Sequence, residues 1–164
     1  MKDKGIQELI EAFVKIQEKF PDDLLWIVGN EERELDPIDE DYRNFLHSNH
    51  SVKLFGFQKD VRQYYSAANI LVFPSYREGF PNVPMQAALM DCGLILSDIN
   101  GCNEIVSHQV SGLLVQPKSS KDLFEKMLFS RENEKLIHQY KQKAKLHISS
   151  NFNQDVVWKN LLNE

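Results

Sequence analysis

The chain has 164 residues, 42% of them hydrophobic and 26% charged, which is the size and apolar content of one domain with a real core. Its net charge of −5 argues against general nucleic-acid binding. No run of 18 apolar residues offers a membrane span, and the opening residues 1–7 lack the apolar core of a signal peptide. Cys92 and Cys102 form no CxxC pair, so reduced thiols in a cytoplasmic protein are expected.

Residues 5–20 carry Ile6, Leu9, Ile10, Phe13 and Ile16 at helical spacing, with Pro21 closing the pattern. Residues 24–28 form a short apolar run ending in Gly29-Asn30, a buried strand and its turn. Asp22 and Asp23 read as solvated turn residues. Seven acids then fall between Glu31 and Asp41, and a weaker helix is predicted over 39–48. Strand 52–55 ends at Gly56, and helix 59–68 turns Val61, Tyr64, Tyr65 and Ala68 inward. Strand 70–73, helix 82–91, strand 94–97, short helix 101–107 and strand 113–115 follow. Helices are predicted over 119–129, 131–148 and 153–162, the first opened by Ser-Ser-Lys-Asp, residues suited to capping. Residues 118–147 hold eight Lys or Arg against four acids, which reads as a solvated helical face, with an anionic surface as the alternative partner.

Strands alternating with helices predict an α/β fold of Rossmann-like, doubly wound type: a parallel sheet with helices on both faces, in one domain spanning 1–164. In such sheets ligands bind beyond the carboxyl ends of the strands. Here those ends are Gly29-Asn30, Gly56-Phe57-Gln58, residues 74–82, 98–101 and 116–117. The longest is 74–82. Gly79 there allows a close backbone approach or a positive φ. Asn82 can cap the following helix, with Pro84 in its first turn, where a missing N–H matters little. The free amides of that turn suit a phosphate. Glu78 would repel one, so it reads either as an acceptor for sugar hydroxyls or as a surface glutamate favoured by the helix dipole.

Glu78-Gly79-Phe80-Pro81-Asn82-Val83-Pro84-Met85-Gln86, followed by Asp91-Cys92-Gly93, resembles the donor-site signature of glycosyltransferase family 4, also called group 1, whose members are retaining GT-B enzymes using nucleotide sugars. Residues 97–106 are similar to the family's loop before a short helix, 111–115 to its last strand, and Lys4-Gly5-Ile6 to the start of its first helix. The match runs along nearly the whole chain, against the C-terminal, donor-binding half. It implies that Glu78 contacts donor-sugar hydroxyls and that Lys4 neutralises the departing diphosphate, making these two the catalytic candidates. Backbone around Gly79, Phe80, Pro81, Asn82 and Val83 would hold sugar and diphosphate. Position 86 would hold the ribose, and Gly56-Phe57-Gln58 would lie near the base. Cys92 becomes a small packing residue. The C-terminal helix with Phe152, Val156 and Trp158 matches the family's end.

The chain departs from the family pattern at Gln86, where a glutamate is usual; an amide oxygen still accepts a hydrogen bond, without charge. The arginine that usually precedes the lysine, the first strand, and the N-terminal acceptor half are expected upstream. The family order 3-2-1-4-5-6 would seat that first strand between 24–28 and 70–73. Without it, these two strands are expected to pair directly or to be bridged by another segment.

The implied function is the donor-binding domain of a retaining glycosyltransferase. It would move a sugar from a nucleoside-diphosphate sugar to a glycan or lipid-linked acceptor, at the cytoplasmic side of a membrane, as in polysaccharide biosynthesis. The chain alone is expected to be inactive. No cofactor, metal or nucleic acid is expected. A non-catalytic fragment or binding module, favoured by Gln86, is one alternative; a GT-B nucleotide-sugar epimerase is another. His47 and His50 stand one helical turn apart without a third ligand and read as surface residues, as do His108, His138 and His147. Trp26, Tyr64 and Tyr65 read as core, not stacking platforms.

Overall fold

The computed structural model describes residues 2–31 and 37–152. Part of the acidic loop, and the predicted helix 153–162 with Val156 and Trp158, lie outside the described residues. A 3-10 turn, Lys2–Lys4, leads into α1 (Ile6–Lys19), and then β1 (Leu25–Ile27), α2 (Glu40–Ser48), β2 (Val52–Leu54) and α3 (Arg62–Ala67). The second half holds β3 (Ile70–Phe73), α4 (Asn82–Leu89), β4 (Gly93–Ser97), α5 (Cys102–Ile105), β5 (Leu113–Val115), α6 (Ser120–Glu132) and α7 (Glu134–Asn151). Among the described residues the predicted alternation is present, and the strand pairs are parallel.

The period-2 geometry of β4 shows why the fold needs helices on both faces. All five residues of β4 are buried. Ile95 joins a core with Leu9, Ile10 and Phe13 of α1, Leu46 of α2 and Leu123 of α6. Its neighbours Leu94 and Leu96 join the opposite core, with Ala87 and Ala88 of α4, Ile105 of α5, and Ala144 and Ile148 of α7. Successive side chains of a strand point to opposite faces, so an apolar strand without alternation must be covered twice. Burying each such Leu or Ile stabilises the fold by about 1.5–3 kcal/mol. The capping reading of α6 also holds: Ser119 Oγ accepts from the Asp122 amide at 3.2 Å.

The expected closure of the sheet does not occur. β1 pairs with β2 in one sheet, and β3, β4 and β5 form another. No ladder joins β1 to β3, and no described segment bridges them. The physical reason lies in the helices. Leu25 of β1 and Val52 of β2 share the first core with Ile95 and Leu113, so side-chain packing around α1 ties the two sheets together without a hydrogen-bonded ladder. The mismatch in burial agrees: all four residues of β3 are only half-buried, whereas β4 is sealed.

Other expectations need smaller corrections. Trp26, Phe55 and Tyr64 form an edge-to-face cluster with centroids 4.8–6.4 Å apart, half-buried, not deep in the core. Asp23, read as solvated, meets the Arg131 guanidinium at 3.3 Å.

Candidate functional site

Two close backbone approaches build the carboxyl-end surface. Gly5, at the start of α1, has φ +68, and a Cβ there would lie 2.2 Å from the carbonyl oxygen of Pro74. Only glycine permits that contact. It docks the Lys2–Lys4 turn on the end of β3, where the Tyr76 amide donates to the Asp3 carbonyl at 2.8 Å and buried Ser75 Oγ donates to the same oxygen at 3.3 Å. On the other side Gly101 has φ +81, and a Cβ there would lie 2.1 Å from the carbonyl oxygen of Gly79. The loop after β4 is thereby locked against the turn that carries Glu78.

The consequence is a direct meeting of residues far apart in sequence. Lys4 Nζ donates to Glu78 Oε1 at 2.7 Å, with the lysine side chain 54% and the glutamate side chain 16% exposed. Beside them Arg77 pairs with Asp3 at 2.8 Å. Buried Cys102 lies close enough to feel both members of the first pair. Burial pushes its thiol up to about 11, the Glu78 charge pushes the same way, and Lys4 opposes them. Cys92, also fully buried, is raised to about 11 by burial. Neither thiol has the character of a nucleophile.

Helix α4 begins differently from the sequence reading. Pro81, not Asn82, holds the N-cap position, because its extended φ of −77 and ψ of 125 suit the residue outside the helix. Asn82 becomes the first helical residue. No side chain caps this end, and Pro84 has no N–H, so the amides of Asn82 and Val83 are the donors of the first turn. Gly79 does not need a positive φ, and a Cβ added to it would meet nothing within 4 Å. Of its two expected uses, room for a close approach is the one the structure supports. Phe80 is 42% and Val83 37% exposed, and Phe80 rests against Phe152 at 5.1 Å between centroids.

The turn after β2 is also held by its neighbours. Gly56 has φ +62 and its carbonyl accepts from the Gly29 amide at 2.7 Å; the Phe57 amide donates to Asn30 Oδ1 at 2.9 Å. Gln58 Nε2 donates to the Phe55 carbonyl at 2.7 Å, while the Phe57 ring is 71% exposed. Just beyond this turn, Lys59, Asp60 and Arg62 line a cavity of about 560 Å³ together with Gln86. Sequence reasoning placed Gln86 in a site but missed these three. Their signal was available: charged residues directly after a strand-end turn. Arg62 forks onto Asp60 at 2.7 and 2.9 Å, and this hydrogen bonding lowers the Asp60 carboxyl to about 2. Gln86 thus shares this open depression with two cations and one anion, and adds no charge of its own.

Elsewhere His47 pairs with Glu31 at 3.0 Å, and among the described residues no three His, Cys, Asp or Glu side chains gather as metal ligands. No described helix is long and apolar enough to cross a membrane.

The family model described as "Glycosyl transferases group 1" matches residues 1–147. The chain is 30% identical over 161 residues to the capsular polysaccharide biosynthesis glycosyltransferase CapM of Staphylococcus aureus, covering 98% of this chain and 42% of that protein. It is 30% identical over 154 residues to the Campylobacter jejuni N,N'-diacetylbacillosaminyl-diphospho-undecaprenol alpha-1,3-N-acetylgalactosaminyltransferase, covering 94% of this chain and 37% of that one. It thus spans less than half the length of these relatives. Among solved structures, the C-terminal domain of the group 1 glycosyl transferase LpcC from Francisella tularensis superposes with a TM-score of 0.83 at 26% identity, covering 94% of this chain and 82% of that domain. Anabaena HepE, solved in complex with UDP, shares the fold with a TM-score of 0.86 at 23% identity, covering 100% of this chain and 46% of HepE.

Proposed function

The chain belongs to the group 1 glycosyl transferases, and on that premise we propose that it is the donor-binding part of a retaining enzyme that uses a nucleoside-diphosphate sugar. The observation that carries this reading is the 2.7 Å contact between Lys4 and Glu78 beside the uncapped start of α4. A cation and two backbone donors serve the diphosphate. A carboxylate within reach serves sugar hydroxyls. A diphosphate arriving at Lys4 competes with Glu78 for its ammonium and leaves the carboxylate free to accept from the sugar. As the glycosidic bond to the diphosphate breaks, negative charge grows on the leaving phosphate, and Lys4 with the Asn82 and Val83 amides offsets it. No metal is needed for this step. Gln86 and the turn at Gly56, Phe57 and Gln58 hold ribose and base.

The relatives support a wider expectation. One is named as acting on a diphospho-undecaprenol-linked substrate and another as a capsular polysaccharide enzyme. We accordingly expect a hexosyl-type transfer to a glycan or lipid-linked acceptor at the cytoplasmic face of a membrane. The acceptor contacts would come from a part of the enzyme outside this chain, so the chain alone is expected not to transfer sugar. A second reading, a domain that keeps the fold without the reaction, draws on one observation: the uncharged amide of Gln86 in the ribose position. Calorimetric titration with UDP, GDP and their sugars tests the proposal. Binding in the micromolar range by one of them is expected; no heat from any of them at millimolar concentration favours the second reading.

A further inference from the structure

Lys118 combines two features that an idle surface lysine lacks. Its backbone is left-handed, with φ +62, a conformation that lysine adopts only at a cost. Its ammonium sits 4.9 Å above the centroid of the Tyr76 ring. Tyr76 is itself fixed at both ends. Its hydroxyl donates to Glu8 Oε1 at 2.5 Å, and its amide donates to the Asp3 carbonyl at 2.8 Å. The ring thus joins the loop after β5 to the two segments that carry Lys4 and Glu78. The loop after β5 and the Glu78 turn follow the carboxyl ends of parallel strands, and the Lys2–Lys4 turn docks beside the end of β3.

The charge balance gives this arrangement a purpose. Lys4 is paired with Glu78 and Arg77 with Asp3, so each of those two cations already has a carboxylate partner. Lys118 instead rests on a neutral ring, which holds an ammonium in place while leaving its full charge. A charge-assisted bond to phosphate is stronger than that contact, so exchange of ring for phosphate is favourable.

We propose that Lys118 is a second phosphate-binding cation of this surface, acting with Lys4, and that Tyr76 is its positioning residue. The inference rests on the donor-site reading above. Its ligand is a phosphate or diphosphate group, carried either by the donor nucleotide or by a diphosphate-linked acceptor.

The test compares the wild-type chain with Lys118→Gly by calorimetry, using whichever of UDP and GDP binds more tightly and then inorganic pyrophosphate added to the nucleotide-saturated protein. Glycine is at ease at φ +62, so the melting temperature is expected not to fall. Lys118→Asn, which also tolerates this backbone, is the second variant should the glycine chain fold poorly. About tenfold weaker nucleotide binding assigns Lys118 to the donor's diphosphate. Unchanged nucleotide binding with about tenfold weaker pyrophosphate uptake assigns it to a second phosphate group. Tyr76→Leu is expected to weaken the same ligand less, and additional Lys118→Gly to bring it to the level of the glycine variant. Wild-type binding with equal affinities in the glycine or asparagine variant overturns this inference alone. Failure of the wild-type chain to bind UDP, GDP or pyrophosphate overturns the donor-site reading and this inference with it.

Discussion

Gly101 lies so close to Gly79 that a Cβ on the former would fall 2.1 Å from the carbonyl oxygen of the latter, while a Cβ on Gly79 would meet nothing within 4 Å. The two glycines therefore answer different needs. Gly101→Ala forces a side chain into φ +81 and into a backbone atom, and is expected to cost about 2–4 kcal/mol of stability by urea denaturation. Gly79→Ala is expected to change stability by less than about 1 kcal/mol. It should nevertheless weaken donor binding, because its methyl group would occupy the space open to a ligand. A stable Gly101→Ala protein would contradict the locking of the two loops.

Glu78→Gln separates the two candidate roles of that residue. The ion pair with Lys4 is partly exposed, so its loss is expected to change stability by no more than about 1 kcal/mol. If Glu78 accepts sugar hydroxyls, affinity for a nucleotide sugar drops about tenfold while affinity for the bare nucleoside diphosphate holds or rises. An equal effect on both ligands in calorimetry would tell against the sugar role.

Gln86→Glu restores a carboxylate beside Lys59, Asp60 and Arg62 in the 560 Å³ cavity. A charged acceptor forms stronger bonds to ribose hydroxyls, so nucleotide affinity is expected to rise about three- to tenfold. Unchanged affinity would mean that position 86 does not touch the ribose.

The buried thiols predict an alkaline limit. Cys92 and Cys102 are raised from 9.0 to about 11 in the folded chain, chiefly by burial. Below the unfolded value both states keep the proton, and the stability is fully present. As pH rises from about 9 through 11 the unfolded thiols ionise first, so stability is lost in that window, by a few kcal/mol at most. Denaturant midpoints at pH 8 and 10.5 measure it. A flat profile would contradict the burial of these groups.

The strand-helix alternation was legible because strands 70–73 and 113–115 are short apolar runs bounded by turn residues, and both appear with those bounds. Glu78 stood out by its place in the turn and Lys4 by resemblance, and the structure brings them into contact. The gap between β1 and β3 was not legible. Whether two strand edges close up depends on how α1 packs against the shared core, which no local pattern records. Lys59, Asp60 and Arg62 escaped notice for a related reason: exposed charges after a turn look solvated until α4 sets Gln86 across from them. Asn82 as a cap followed residue preference, but the extended backbone of Pro81 takes that place.

The central claim, that a nucleoside diphosphate lies against the Lys4–Glu78 pair and the start of α4, is tested most directly by backbone amide chemical shifts of the labelled chain titrated with UDP and with GDP. The account predicts that one of them shifts the amides of Gly79, Phe80, Asn82 and Val83 together with Gly56, Phe57 and Gln58, and that Lys4→Met abolishes the first group at the same concentration. Shifts confined to other surfaces, or none at millimolar nucleotide, would contradict it.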